Sequence, residues 1–388
     1  MSTPLPPPCP EIEPSRFPAP LRELAAKVRD GVRLDEADAL LALTTTSVLP
    51  LGRLADAVRK KLHGNAAFFN VNRHINPTNV CVYTYNCKFC SFAALPGEGH
   101  AWEMSHEDVY RHAAEQGGNR VTEFHIVGGL HPDLSLEWYC EMLRGLRERF
   151  PNAHLKAFTA IEIGWFAKHE RISIEEVLTR LRDAGLGSLP GGGAEIFHPE
   201  VRQIICDGKL DAGEWIEVHR VAHGMGIKSN CTMLYGHVER PEHQVDHLLR
   251  LRNLQDETGG FNAFIPLAYH PENNYMGLRF HTTGLEDLRQ IAAARLVLDN
   301  VPHVKAYWVM ITPKLAQVAL RFGADDLDGT VVEEHIYHMA GAHTEQSLSR
   351  AELERIVRLA GFEPIERDTL YNPVDQSPGA TPSPAPAH

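Results

Sequence analysis

The sequence predicts an α/β fold arranged as a parallel barrel of βα units, TIM-type, complete or partial. Three observations support this. From residue 65 onward, short apolar or β-branched runs alternate with amphipathic helical stretches, the pattern of repeated βα units around a parallel sheet. At least six such units in one body fit a barrel better than an open dinucleotide-binding sheet. The 388 residues are 43% hydrophobic and 23% charged, which supplies the apolar matter for one large core.

In chain order, residues 1–20 hold eight of the 26 prolines and few large apolar groups, so a disordered tail is expected there. Residues 21–64 read as a helical preface, because LRELAAKVRD, LDEADALLAL and GRLADAVRKKLHG each repeat apolar residues at helical spacing. The barrel and a C-terminal extension then occupy 65–372, with strands expected in AFFNVNRHINPTNV, VTEFHIVGG, HLKAFTAIEI, IKSNCTMLYGH, FNAFIPLAYHP and VKAYWVMITP. Between them Ser105 and Ser135 are N-cap candidates, and Gly185 closes IEEVLTRLRDAG as a C-cap. Leu136, Tyr139, Met142, Leu143, Leu146 and Phe150 share one helical stripe that would face the sheet. Residues 373–388, with five prolines, form a second expected tail.

The net charge of −12 disfavours nucleic acid and anionic membrane as partners, which leaves a small molecule as the expected ligand. No apolar run approaches the ~20 residues that cross a bilayer. The start, MSTPLPPPCP, lacks the charged and apolar stretches of a signal peptide, so a cytoplasmic protein is expected.

Barrels of this type carry their chemistry in the loops that leave the C-terminal ends of the strands. Those loops hold the unusual residues: CVYTYNCKFC with Cys81, Cys87 and Cys90, then GGLHP at 128–132, AIEI, LPGGGAEIF, LYGHVE and YHPENN. The chain has seven cysteines, an odd number, and the four outside this loop are scattered, which is no disulfide framework. Three clustered thiols suit a metal centre. A zinc ion would recruit a fourth ligand, for which His74 or His100 is near in sequence; an iron-sulfur cubane on three cysteines would leave one iron open.

CKFC followed by Ser91 and Phe92, VGGLHP and the barrel pattern resemble the radical S-adenosylmethionine enzymes. INPTNVC, CKFCSF, GLGSLPGGGAEIF, NCTMLYGHVE, KAYWVM and GADDLDGTVVEE further resemble the aminofutalosine synthase family of the menaquinone pathway, over about residues 40–372. The pattern departs in one place, with five residues, VYTYN, between the first two cysteines where the superfamily usually has three. A surface bulge absorbs two extra residues at small entropic cost.

The resemblance implies a [4Fe-4S] cluster on Cys81, Cys87 and Cys90, with S-adenosylmethionine on its open iron and consumed as a substrate. It also implies a one-electron donor such as flavodoxin or ferredoxin. Phe89 would flank the adenine or simply fill the core. Gly128 and Gly129 would let the backbone approach the methionyl amino group or form an ordinary turn, and Glu195 would bind a ribose hydroxyl. The implied organic substrate is 3-[(1-carboxyvinyl)oxy]benzoate, which gains the deoxyadenosyl group and, after aryl migration and loss of a carboxyl, becomes 6-amino-6-deoxyfutalosine. Arg73, His74, Lys156, Arg279 and Lys314 are candidates for its two carboxylates, and His237 and His270 for binding or proton transfer; for the cationic candidates a surface role is the bland alternative. Two rival readings stand beside this one: the hydrogen-abstracting cyclic dehypoxanthine futalosine synthase, and a non-enzymatic zinc or iron-sulfur protein.

Overall fold

In the computed structural model, which describes residues 6–115 and 121–374, the strands form two parallel sheets. The larger runs in sequence order: β2 (Asn72–Ile75), β3 (Glu123–Ile126), β4 (His154–Ala157), β5 (Ser188–Leu189), β6 (Lys228–Tyr235), β7 (Phe261–Ala268) and β8 (His303–Val304). The smaller sheet places β1 (Ala66–Asn70) between β10 (Glu363–Glu366) and β9 (Asp326–Gly329). Between the first and last strands of the large sheet, residues 325–332 bond to both sides. Asp325 N–H reaches Val304 O and Ala306 N–H reaches Asp326 O, while His74 N–H reaches Val332 O. The sheet therefore curls into the TIM-like barrel the sequence predicts.

Local chemistry explains the helices that pack outside it. Ser105 and Ser135 cap their helices as expected, accepting from the N–H groups of Asp108 and Trp138. Gly185, at φ 116°, follows the helix Ile174–Asp183 in a Schellman arrangement, with Leu186 N–H on Leu181 O and Gly185 N–H on Arg182 O. The stripe from Leu136 to Phe150 is buried throughout.

Four expectations need correction. AFFNVNRHI is two strands, broken at Val71, whose halves join different sheets. In HLKAFTAIEI only His154–Ala157 is strand; AIEI opens the helix Ala160–Glu170 behind a capping box in which Thr159 and Glu162 bond reciprocally. VKAYWVMITP turns helical at Trp308–Ile311. Residues from the expected N-terminal tail are packed: Cys9, Ile12 and Phe17 are buried, Cys9 N–H bonds Arg29 O, and Arg53 lies over the Phe17 ring. The prolines there start short 3-10 turns at Pro14–Arg16 and Ala19–Leu21 and do not prevent order. Of the second tail, Pro373 and Val374 pair with Arg367 and Glu366; the rest, like residues 1–5, lies outside the described residues.

Candidate functional site

A cavity of about 260 Å³ opens at the C-terminal ends of the strands, walled by Val127, Leu130, Ile161, Ile265 and Leu267. Cys81, Cys87 and Cys90 all line it. Their loop is shaped by its own backbone: Cys87 N–H bonds Tyr83 O and Cys90 N–H bonds Cys87 O, both at 3.0 Å. Three outside contacts fix its position, with Cys81 N–H on Ala94 O, Val82 N–H on Leu130 O and Lys88 N–H on Ile205 O. The five-residue gap is taken up by a turn whose tip, Tyr85, sits at φ 70° on the surface with its hydroxyl on Glu98.

The chemistry of this donor set distinguishes between metals. Among the described residues the loop cysteines are not one of the groups whose three ligating atoms gather within 4.8 Å. A tetrahedral zinc with Zn–S of about 2.3 Å needs its sulfurs closer than that. His100, a candidate fourth ligand, is exposed beside Glu98, and His74 stacks on another ring. Three free thiols lining one cavity are the donor set that would hold a cubane and leave one iron open. Burial pushes the Cys87 and Cys90 thiols up, so both are neutral until a metal displaces their protons.

Gly128 and Gly129 line the cavity, and their role is set by what lies behind them. A Cβ on Gly129 would stand 2.2 Å from Val80 O, and one on Gly128 would stand 2.9 Å from Thr78 O. The pair thus lets the segment entering the cysteine loop lie against the end of β3, locked by Gly129 N–H on Thr78 O. Gly128 N–H instead donates to Glu162 Oε1 at 3.1 Å.

Glu162, which the sequence reading placed within the AIEI segment without a role, is therefore shared. Its other oxygen caps its own helix through Thr159 N–H and Oγ1, while the side chain lines the cavity. Burial raises its carboxyl to about 7 against the pull of those donors. Across the cavity Glu195 pairs with Lys209 Nζ at 2.6 Å, and Lys209 lies 5.4 Å from the Phe89 ring. Burial works against the Lys209 charge, but the Glu195 carboxylate outweighs it and holds the ammonium above its ordinary range.

The expected substrate cations divide sharply. Arg73 is buried but turns away from the cavity, paired with Glu333 at 2.9 Å. Its neighbour His74 faces in, because successive residues of a strand alternate sides. Lys156 is spent on Glu123 at 2.5 Å. Arg279 and Lys314 are exposed, outside the cavity wall. His237 clips its own loop, to Glu239 and Leu234 O, and His270 bonds Met310 O; neither lines the cavity.

His125 was not anticipated. The register of β2 on β3 sets His74 opposite His125, and the rings stack at 4.4 Å with 6° between their planes. Both line the cavity, and His74 Nε2 and His125 Nδ1 are buried with no hydrogen-bond partner. An orphaned buried polar atom costs about 1–3 kcal/mol, which a ligand could recover.

Comparison with known proteins agrees with this geometry. Residues 75–252 match the family model described as the radical SAM superfamily, and 258–379 match the CofH/MqnC C-terminal region. The chain is 46% identical to an aminodeoxyfutalosine synthase of Thermus thermophilus, over 90% of this chain and 95% of the relative. It is also 46% identical to one from Streptomyces coelicolor, over 93% and 96%. A 5-amino-6-(D-ribitylamino)uracil–L-tyrosine 4-hydroxyphenyl transferase of Methanopyrus kandleri is 42% identical over 88% and 94%. Among solved structures, methylornithine synthase superposes with a TM-score of 0.69 at 18% identity, over 87% of this chain and 96% of that one. The hydrogenase maturase HydG of Carboxydothermus hydrogenoformans gives 0.70 at 16%, over 90% and 80%. These two likenesses are of fold alone.

Proposed function

Because this chain belongs to the radical S-adenosylmethionine superfamily, whose members use a [4Fe-4S] cluster and S-adenosylmethionine, we propose that it is an aminodeoxyfutalosine synthase. In this reading the adenosyl carbon adds to the enol-ether double bond of 3-[(1-carboxyvinyl)oxy]benzoate. Aryl migration and loss of a carboxyl then give 6-amino-6-deoxyfutalosine. The observation that carries the reading is the 46% identity to two such synthases across at least 95% of their length.

Cys81, Cys87 and Cys90 would hold the cluster, on a loop that Gly128 and Gly129 seat against the barrel. When bound, the cluster supplies the electron that cleaves the carbon–sulfur bond of S-adenosylmethionine. Glu195, fixed by Lys209, would accept from a ribose hydroxyl, and Phe89 would cover the adenine face. Ile161, Val127, Ile265 and Leu267 line the cavity and would keep water away from the reacting carbon. A small one-electron carrier such as flavodoxin or ferredoxin would act as donor from outside.

The 42% relatives supply a specific second reading, with tyrosine and 5-amino-6-(D-ribitylamino)uracil as substrates. One experiment separates them. The reduced enzyme is given adenosyl-labelled S-adenosylmethionine with either the enolpyruvyl-oxybenzoate or the tyrosine and uracil pair, and products are separated with mass detection. Label retained in an aromatic product, with methionine released, is the expected result. Label found only as substrate-dependent 5′-deoxyadenosine would refute the assignment and favour a hydrogen-abstracting relative.

A further inference from the structure

The cavity presents a charge problem to any acidic substrate. Among the described residues lining it, Glu162, Glu195, Asp328 and Glu334 carry carboxyl groups, and Lys209 is the one lysine or arginine. Lys209 is already bound to Glu195. The arginines that the sequence offered face elsewhere, Arg73 on Glu333 and Arg279 in solvent. Among the described residues of this wall, the buried side-chain nitrogens and oxygens left without partners are His74 Nε2 and His125 Nδ1.

We propose that the stacked His74–His125 pair is the subsite for one carboxylate of the organic substrate, and that it takes up a single proton when that carboxylate binds. The proposal rests on the functional reading above, which supplies a dicarboxylate. With ring centroids 4.4 Å apart, two imidazolium charges would repel strongly, so the pair holds one proton at most and titrates as a unit.

The surroundings set when that proton arrives. Burial depresses both imidazoles, and Lys156 from β4 adds to the effect, while Glu123 on β3, Asp328 on β9 and Glu334 beyond it act in the opposite sense. Asp328 is itself paired with Lys305 at 2.7 Å, and Glu334 accepts from Tyr337 N–H and approaches His338. From outside the barrel His112 Nε2 lies 3.2 Å from the His74 carbonyl and 2.7 Å from Glu333, which also holds Arg73. The empty pair is therefore neutral near pH 7. A carboxylate placed against the pair favours the charged form, and binding draws a proton from solvent.

The test is calorimetric titration of the anaerobic, cluster-loaded and unreduced enzyme with 3-[(1-carboxyvinyl)oxy]benzoate at pH 8, in phosphate and in Tris, whose ionisation enthalpies differ. The expected result is uptake of about one proton and a Kd that rises about tenfold per pH unit above neutrality. His125→Gln and His74→Gln should each abolish the uptake and weaken binding at least tenfold, with iron content and S-adenosylmethionine affinity retained. If His74→Gln disturbs folding, His125→Gln decides alone. Tight binding with no buffer dependence, or a variant that still takes up the proton, overturns the subsite. Wild-type enzyme that binds S-adenosylmethionine but no dicarboxylate at any pH overturns the functional reading, and the subsite with it.

Discussion

Two parts of the barrel interior, adjacent along the same strands, treat buried polarity in opposite ways. At the base, Glu123 pairs with Lys156 at 2.5 Å and Asp326 with Arg367 at 2.7 Å, all almost wholly buried. Two residues further along β2 and β3 than Asn72 and Glu123, His74 and His125 face the cavity with unpartnered nitrogens. Where the chain supplies both partners, opposite charges lie within ion-pair distance, even though the Glu123 oxygens make no hydrogen bond of good geometry. Where it supplies only one, the wall is completed by what binds. Burial opposes the Glu123 charge, but Lys156, Lys305 and Arg367 together keep its carboxyl well below the usual range.

The largest effect should come from breaking the base. Lys156→Met leaves the buried Glu123 carboxylate without its salt-bridge partner, which should cost about 3–5 kcal/mol in urea unfolding. Adding Glu123→Gln should recover most of that. A single-variant cost near zero would mean that the pair does not hold the base.

A second effect belongs to another cavity-lining group, Glu162. Its folded value of about 7 stands above the ordinary 4.5, so the folded protein binds that proton more tightly than the unfolded chain. This contribution is complete below pH 4.5 and lost as pH rises through 7. It amounts to about 3 kcal/mol. Glu162→Gln should flatten the fall in metal-free stability over that window, measured by denaturation at several pH values. An unchanged slope would assign the fall to other groups.

The smallest stability effect belongs to the wall. His74→Phe keeps a ring against His125 and removes an orphaned nitrogen, so ligand-free stability should stay within about 1 kcal/mol of wild type or rise slightly. A loss comparable to that of Lys156→Met would erase the distinction between wall and base.

What the sequence made legible follows from how local each signal is. The cysteine loop and glycine pair are contiguous, and both line the cavity. Arg73 and His74 could not be told apart, because β2 is buried on both sides and its alternation has no polar face to set the phase. His125 depends on strand register, which one chain read alone does not show. Lys209 reaches Glu195 across an intervening helix, Pro199–Ile205, for the same reason. Glu162 was readable: TAIE is a capping-box pattern, and recognising it would have ended the strand at Ala157. The N-terminal segment misled by composition, because its prolines outnumber the few residues, Cys9, Ile12 and Phe17, that anchor it.

The central claim is that the 81–90 loop carries a three-cysteine cluster that engages S-adenosylmethionine. The direct measurement is the electron paramagnetic spectrum of the anaerobically reconstituted, reduced protein with and without S-adenosylmethionine, beside its iron content. Wild-type and Cys206→Ala protein should carry about four irons and show a signal that changes on addition of S-adenosylmethionine. Alanine at Cys81, Cys87 or Cys90 should lose that signal. A Cys81→Ala protein that keeps a full cubane and the same response, or a wild-type signal indifferent to S-adenosylmethionine, would contradict the account.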